Sequence, residues 1–230
     1  MNPSLDVIAF EISVWLLPVL IAVTLHEAAH GFVAHLLGDD TAWRQGRVSF
    51  NPFKHIDPFG TIVLPALLLL AGSPFLFGYA KPVPVNFRAL SHPRRDMILV
   101  AAAGPAMNLI LATLAALAFH LVPYAPGTAA RFIADNLRNG LLLNVVLAVF
   151  NLLPIPPLDG GRILSGLLPA ALARPFSRLE PYGMFLLIGL LILLPLVGAQ
   201  FGLDLDFLSA IITRSTRAIL GVILRLTANT

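Results

Sequence analysis

His26 and His30 stand four residues apart in the run Thr24-Leu25-His26-Glu27-Ala28-Ala29-His30-Gly31. On a helix this spacing sets the two side chains about 40° apart around the axis and roughly 6 Å apart along it. Two imidazoles so placed can reach one metal ion. Glu27, rotated by about 100° from His26, can address a water on that metal without ligating it, which is what a general base requires. The chemistry such a set supports is metal-assisted hydrolysis. The surroundings of the motif are apolar, and His26 lies about 16 Å of helical rise before Leu37, near the middle of a stretch long enough to cross a bilayer. The alternative is a pair of helix-packing histidines beside a snorkelling glutamate. Three costly ionisable groups at metal-ligand spacing argue for function instead.

A zinc site with two histidines needs a third protein ligand and leaves the fourth position to water. The chain has no cysteine, so thiolate ligands, disulfides and iron–sulfur clusters are excluded and the missing ligand must be His, Asp or Glu. Most of the acidic residues fall in polar loops or at the ends of apolar stretches, and Glu11 is about 22 Å along the helix from His26. Asp159 remains. It follows a proline break in Asn151-Leu152-Leu153-Pro154-Ile155-Pro156-Pro157-Leu158-Asp159-Gly160-Gly161. Unwound backbone at membrane depth is tolerated only where protein or a water-filled cavity satisfies it, so the break itself points to a site. The adjoining glycines permit close backbone approach. A helix-capping role for Asp159 is compatible with ligation.

The elements that must position these groups are apolar and long. The 230 residues are 57% hydrophobic and 12% charged, with mean hydropathy +0.85, well outside the range of soluble domains. Apolar stretches at 7–37, 98–122, 141–155 and 182–203 cross or nearly cross a hydrocarbon core of about 30 Å. A fifth, 61–77, is broken by Pro65 and Pro74, and the charge bias of the loops is clearest if it is re-entrant. Prolines at alternate positions in Lys81-Pro82-Val83-Pro84 exclude helix and favour an extended strand or strap. Residues 206–228 carry one apolar face and read as an interfacial helix. The expected fold is therefore an all-α polytopic membrane protein. It has about four transmembrane helices, a re-entrant or short extra segment at 61–77, a short membrane-associated strand region and a C-terminal interfacial helix. One domain spans 1–230, with its core at 8–170 and C-terminal helices at 182–228. Met1 to Asp6 lacks a basic n-region, so the first stretch is expected to be retained and not cleaved as a signal peptide. The formal charge of +3 is modest and the basic residues lie between apolar stretches, which disfavours nucleic acid and suits anionic lipid.

His26-Glu27-Ala28-Ala29-His30-Gly31, Gly104-Pro105-Ala106-Met107-Asn108 and the segment from Asn151 to Gly161 together resemble the site-2 protease family of intramembrane metalloproteases. Asn51 to Thr61 and Ala80-Lys81-Pro82-Val83-Pro84-Val85-Asn86 are similar to the compact bacterial branch without PDZ or CBS domains. The resemblance runs from about residue 8 to 170. It implies that His26, His30 and Asp159 bind Zn2+, one per chain, and that Glu27 activates water. It further implies that Asn108 and Asn151 line the site, as oxyanion donors or substrate contacts. Interhelical hydrogen bonding is the alternative for both. His35, about 140° beyond His30, is expected to face elsewhere, and His55, beside a turn proline, is expected to be structural, with gating or substrate contact as the alternative.

The expected activity is zinc metalloendopeptidase action within or near transmembrane segments, as in regulated intramembrane proteolysis. Expected partners are the lipid bilayer and transmembrane substrates, either single-pass proteins or signal-peptide remnants. The expected location is the cell membrane, a bacterial inner membrane, with multiple passes and the N-terminus outside. Two rival functions use the same residues. One is an ion- or proton-coupled transporter or channel, which would carry inverted repeats that the sequence lacks. The other is a catalytically silent relative that binds membrane helices.

Overall fold

The computed structural model describes residues 5–63, 67 and 80–229. Helix α1 (Leu5–Leu36) leads through the single turn α2 (Thr41–Arg44) and a connecting segment to α3 (Pro93–Ala118). Helix α4 (Gly127–Asn151) follows, then the proline break, then α5 (Asp159–Leu167) and α6 (Ala170–Ser177). Helix α7 (Gly183–Ile188) runs through a π-turn at Gly189–Leu193 into α8 (Leu194–Gln200), and α9 (Phe207–Leu226) closes the bundle. Among the described residues five helical stretches are long and apolar enough to cross a membrane: Ala9–Leu36, Pro93–Tyr124, Ala129–Asn151, Ala170–Gln200 and Phe207–Leu226. The protein is an all-α, multi-pass membrane protein.

The bundle centre is made of small residues. Ala22, Ala34, Ala101, Gly104, Ala112, Ala116 and Ala148 are buried where α1, α3 and α4 pack together. Lipid is as apolar as leucine, so membrane helices gain from close backbone approach and interhelical hydrogen bonds more than from large apolar side chains. Leucines and isoleucines such as Ile12, Leu16, Ile110 and Leu114 are accordingly left exposed on the outer faces.

Two elements differ from the sequence expectation, and a third is more closely defined. Helix α4 begins at Gly127, well before the apolar stretch at 141–155. Its polar first half carries Asp135 beside Arg131 at 3.8 Å and Arg138 at 3.3 Å, pairs at helical spacings that add a little to the helix. Asn139 Nδ2 also donates to the Val14 carbonyl of α1 at 3.1 Å. Helix α9, expected to lie in the interface, is also long and apolar enough to span, and it packs partly on protein while Phe207, Ile211, Val222 and Leu226 of its apolar face stay exposed. Its Ile223 joins Ala112, Ala116, Leu141, Val145 and Val149, and its Leu208 joins Leu153, Leu158 and Leu187. The expected strand region is, over residues 80–86, an extended strap that pairs with no other strand among the described residues. The segment 61–77 lies almost wholly outside the described residues.

The strap is held by side chains in place of a ladder. Pro82 and Pro84 have no N–H to satisfy. Of the other donors, Lys81 N–H reaches the His55 carbonyl at 2.9 Å, Val83 N–H reaches Glu27 Oε2 at 2.8 Å, and Asn86 N–H reaches Asp39 Oδ2 at 2.6 Å. Arg47 donates to the carbonyls of Lys81 and Pro82 at 2.9 and 3.3 Å. Asp39 is fully buried, and its other oxygen accepts from the backbone N–H and hydroxyl of Thr41 at 2.9 and 2.5 Å. One carboxylate thus joins the end of α1, the start of α2 and the strap. Asp39→Ala leaves these donors unmatched in a buried place, and a loss of about 2–3 kcal/mol is expected in reversible unfolding in detergent. Limited proteolysis should then cut near residues 80–91.

Candidate metal centre

The centre is assembled from α1, α3 and the N-terminus of α5. His26 and His30 project from one face of α1, as their spacing predicts, and Asp159 stands on the first residue of α5. All three are buried. Their ligand atoms lie within 4.8 Å of one another, with Asp159 Oδ2 at 3.3 Å from each Nε2 and the two Nε2 atoms 3.1 Å apart.

The tautomers follow from the partners on the far side of each ring. His26 Nδ1 lies 2.6 Å from Asn108 Oδ1, and His30 Nδ1 lies 2.7 Å from the Val100 carbonyl. Both oxygens only accept, so both Nδ1 atoms carry hydrogen in the neutral rings and both Nε2 atoms present lone pairs. Two lone pairs and a carboxylate oxygen that has no other partner therefore face one point inside the membrane. A proton there would relieve one pair of these groups. A divalent cation relieves all three at once, and two imidazoles with a carboxylate form a donor set that suits zinc.

Gly104 supplies the room. A Cβ on that residue would overlap both Nε2 atoms, at 2.6 Å from that of His26. The proline break supplies the other wall. Leu152 and Leu153 leave α4 with carbonyls pressed against Gly160, where a Cβ would collide with both oxygens. The Pro156–Pro157 peptide within the break is cis.

Glu27 is half-buried and its Oε2 accepts from Val83 of the strap. Gly31 lets the strap close on α1, since a Cβ would meet Val83 Cγ1 at 2.9 Å and Val48 Cγ2 at 2.8 Å. Asn108, buried in α3, spends its oxygen on His26 and its Nδ2 on Asn144 Oδ1 at 2.8 Å and, at longer reach, on the Ala22 carbonyl at 3.4 Å. Asn151, at the end of α4, donates to the Leu147 carbonyl of its own helix at 3.0 Å. His35 turns away to Asp40, 2.7 Å distant, and stacks on Trp43. That hydrogen bond, with Arg44 alongside, holds the Asp40 carboxyl below its ordinary range. His55 is buried with Nε2 at 3.0 Å from the Ser49 carbonyl, and its own carbonyl anchors the strap.

The sequence reading leaves three participants unnoticed or without a role. Asn144 belongs to no short motif, although an amide in the apolar half of α4, two helical turns before Asn151, is a signal in itself. Gly104 was visible as a glycine before proline without a stated function. Val83 N–H could not be assigned because side chains from distant segments decide where the strap's donors go.

The site defines a class: membrane-embedded metallohydrolases that carry two histidines and a glutamate on one transmembrane helix and an aspartate at a distant helix break. Peptidase family M50 matches residues 127–196. A protein of Bacillus subtilis (strain 168) named "Putative zinc metalloprotease YwhC" is 42% identical over 177 residues, 75% of this chain and 77% of that one. "Putative zinc metalloprotease Rip2" of Mycolicibacterium smegmatis is 30% identical over 79% of this chain and 67% of its own length. The protein of the same name from Mycobacterium tuberculosis (strain H37Rv) is 32% identical over 80% and 68%. No solved structure matches. The chain belongs to peptidase family M50, the site-2 protease family, and is a membrane metalloprotease.

Because Gly104 leaves the space that the two Nε2 atoms face, Gly104→Ala is expected to lower zinc retention by about 100-fold, at the upper end of what disturbing a ligand's surroundings costs. Metal content of the purified variant, measured beside its helical circular dichroism, separates this from misfolding.

Proposed function

We propose that the chain is an intramembrane metalloendopeptidase that cuts peptide bonds within or near transmembrane segments of membrane proteins, using one zinc per chain. The observation that carries the reading is the convergence of His26 Nε2, His30 Nε2 and Asp159 Oδ2 at one buried point with Glu27 on the same helix. Bound by these three atoms, zinc supplies Lewis acidity that activates water and polarises the scissile carbonyl.

The chain's own groups do the rest. Glu27 takes the proton of the attacking water and delivers it to the leaving amine. Its Oε1 remains for this exchange while Val83 N–H holds Oε2. The proline break and the strap shelter polar backbone at membrane depth, where a substrate helix must unwind before its carbonyls can be attacked. The strap pairs with the unwound segment. With Pro82 and Pro84 lacking N–H groups, Lys81, Val83 and Asn86 already donating, and the Lys81 and Pro82 carbonyls taken by Arg47, it meets substrate through the main-chain groups left between Val83 and Val85. Asn151, beside the break, contributes to the same substrate channel.

Substrates in this reading are single-pass proteins or signal-peptide remnants. The chain lies in the cell membrane, with its N-terminus outside and the loop after α1 in the cytoplasm, where the basic residues Arg44, Arg47, Lys54, Lys81 and Arg88 fall.

Glu27→Gln keeps the side chain's shape and removes the base. Cleavage of a panel of single-span reporters should fall by about 10²–10⁴-fold while zinc content stays at the wild-type level. Turnover at the wild-type rate by that variant would refute the role of Glu27. Asp159→Asn should instead lose zinc and activity together.

A further inference from the structure

The bond from His26 Nδ1 to Asn108 is one link of a longer chain. Asn144 Nδ2 donates to the Gly140 carbonyl one turn back on α4, at 2.8 Å. Asn144 Oδ1 accepts from Asn108 Nδ2 at 2.8 Å, and Asn108 Oδ1 accepts from His26 Nδ1 at 2.6 Å. Asn108 is fully buried, and Asn144 and His26 nearly so.

The direction of this chain is forced. A backbone carbonyl can only accept, so the Gly140 oxygen requires the NH2 end of Asn144, and the Oδ1 end of Asn144 must then face Asn108. That in turn requires the NH2 end of Asn108, which the Ala22 carbonyl of α1 also demands. The Oδ1 end of Asn108 is left for His26, whose Nδ1 must carry the hydrogen. Were the two amides reversed together, which alone would keep their mutual bond, an N–H would face His26 Nδ1. The ring would then take the other tautomer, with hydrogen on Nε2, where it cannot ligate. Two main-chain carbonyls, on α4 and α1, thus dictate which nitrogen of His26 is free.

We propose that Asn144 is a positioning residue that, acting through Asn108, sets His26 in its metal-binding tautomer and orientation. It rests on the metal-site reading above. Asn108 is in this account a support for a ligand and not an oxyanion donor, because both ends of its amide are committed. An interhelical tether without this role would hold α3 and α4 together through the same Asn108–Asn144 bond with both amides reversed together. Only the tautomer depends on polarity, and metal affinity reports it.

The experiment uses the full chain in detergent, stripped of metal and titrated with zinc against a chromophoric chelator, with the thermal midpoint of each metal-free form recorded. Asn144→Leu keeps the volume and removes both links. Asn144→Ser can still donate to Gly140 and accept from Asn108, as serine does one turn back on a helix. Zinc binding by Asn144→Leu is expected to weaken by about 10–100-fold, with Asn144→Ser recovering much of that loss. Equal affinity of Asn144→Leu and wild type overturns the proposal even if the midpoint falls, because a tether alone moves only the midpoint. If Asn144→Leu does not fold, Asn144→Ala takes its place, and equal affinities of the alanine and serine variants overturn the proposal. A wild-type protein that binds no zinc refutes the metal-site reading itself, a failure distinct from that of Asn144.

Discussion

Two imidazole lone pairs and a carboxylate oxygen meet within hydrogen-bond distance of one another in the middle of an apolar bundle. Without a cation this arrangement is repulsive, and low polarity around it strengthens every charge–charge and charge–dipole interaction. The rest of the structure answers to that constraint. Gly104 leaves the space, Asn108 and the Val100 carbonyl turn both rings the same way, and the break between α4 and α5 delivers the carboxylate.

The second requirement is that polar backbone at membrane depth be satisfied. At the break, short local bonds such as Ile155 N–H to the Leu153 carbonyl at 2.7 Å and Leu158 N–H to the Ile155 carbonyl at 2.9 Å replace helix. In the strap, proline removes donors, Glu27 and Asp39 take the N–H groups of Val83 and Asn86, and the His55 carbonyl takes that of Lys81. Glu27 on α1 and Asp39 just beyond its end each accept from this strap, so the strap lies along the last turns of the helix that carries His26 and His30.

Much of the centre was legible in the sequence because its logic is one of spacing and exclusion. His26, Glu27 and His30 declare themselves by helical offset, and Asp159 by being the acidic residue left at a plausible depth once loops and helix ends are set aside. The all-α membrane class follows from composition. What stayed hidden depends on tertiary partners. The direction of an amide is set by the carbonyl opposite it, so Asn108 could be seen as a motif residue but not as the partner of His26. Asn144, in an unremarked stretch of α4, could not be joined to a residue 36 positions earlier. The sequence of α9 does not say which of its apolar residues meet α3 and α4, as Ile223 does, and which stay exposed, as Val222 does. The polar first half of α4 carries ion pairs at helical spacing that a hydropathy window averages away.

The central claim is that residues more than 120 positions apart hold a single zinc ion through two histidines and one aspartate. X-ray absorption at the zinc edge of the protein loaded with one equivalent tests it most directly. The account predicts one tightly held zinc per chain with the multiple-scattering signature of two imidazoles and oxygen donors completing a four-coordinate shell, the oxygen contribution changing in Asp159→Ala. A shell with fewer or more than two imidazoles, or one unaltered by the loss of Asp159, would contradict it.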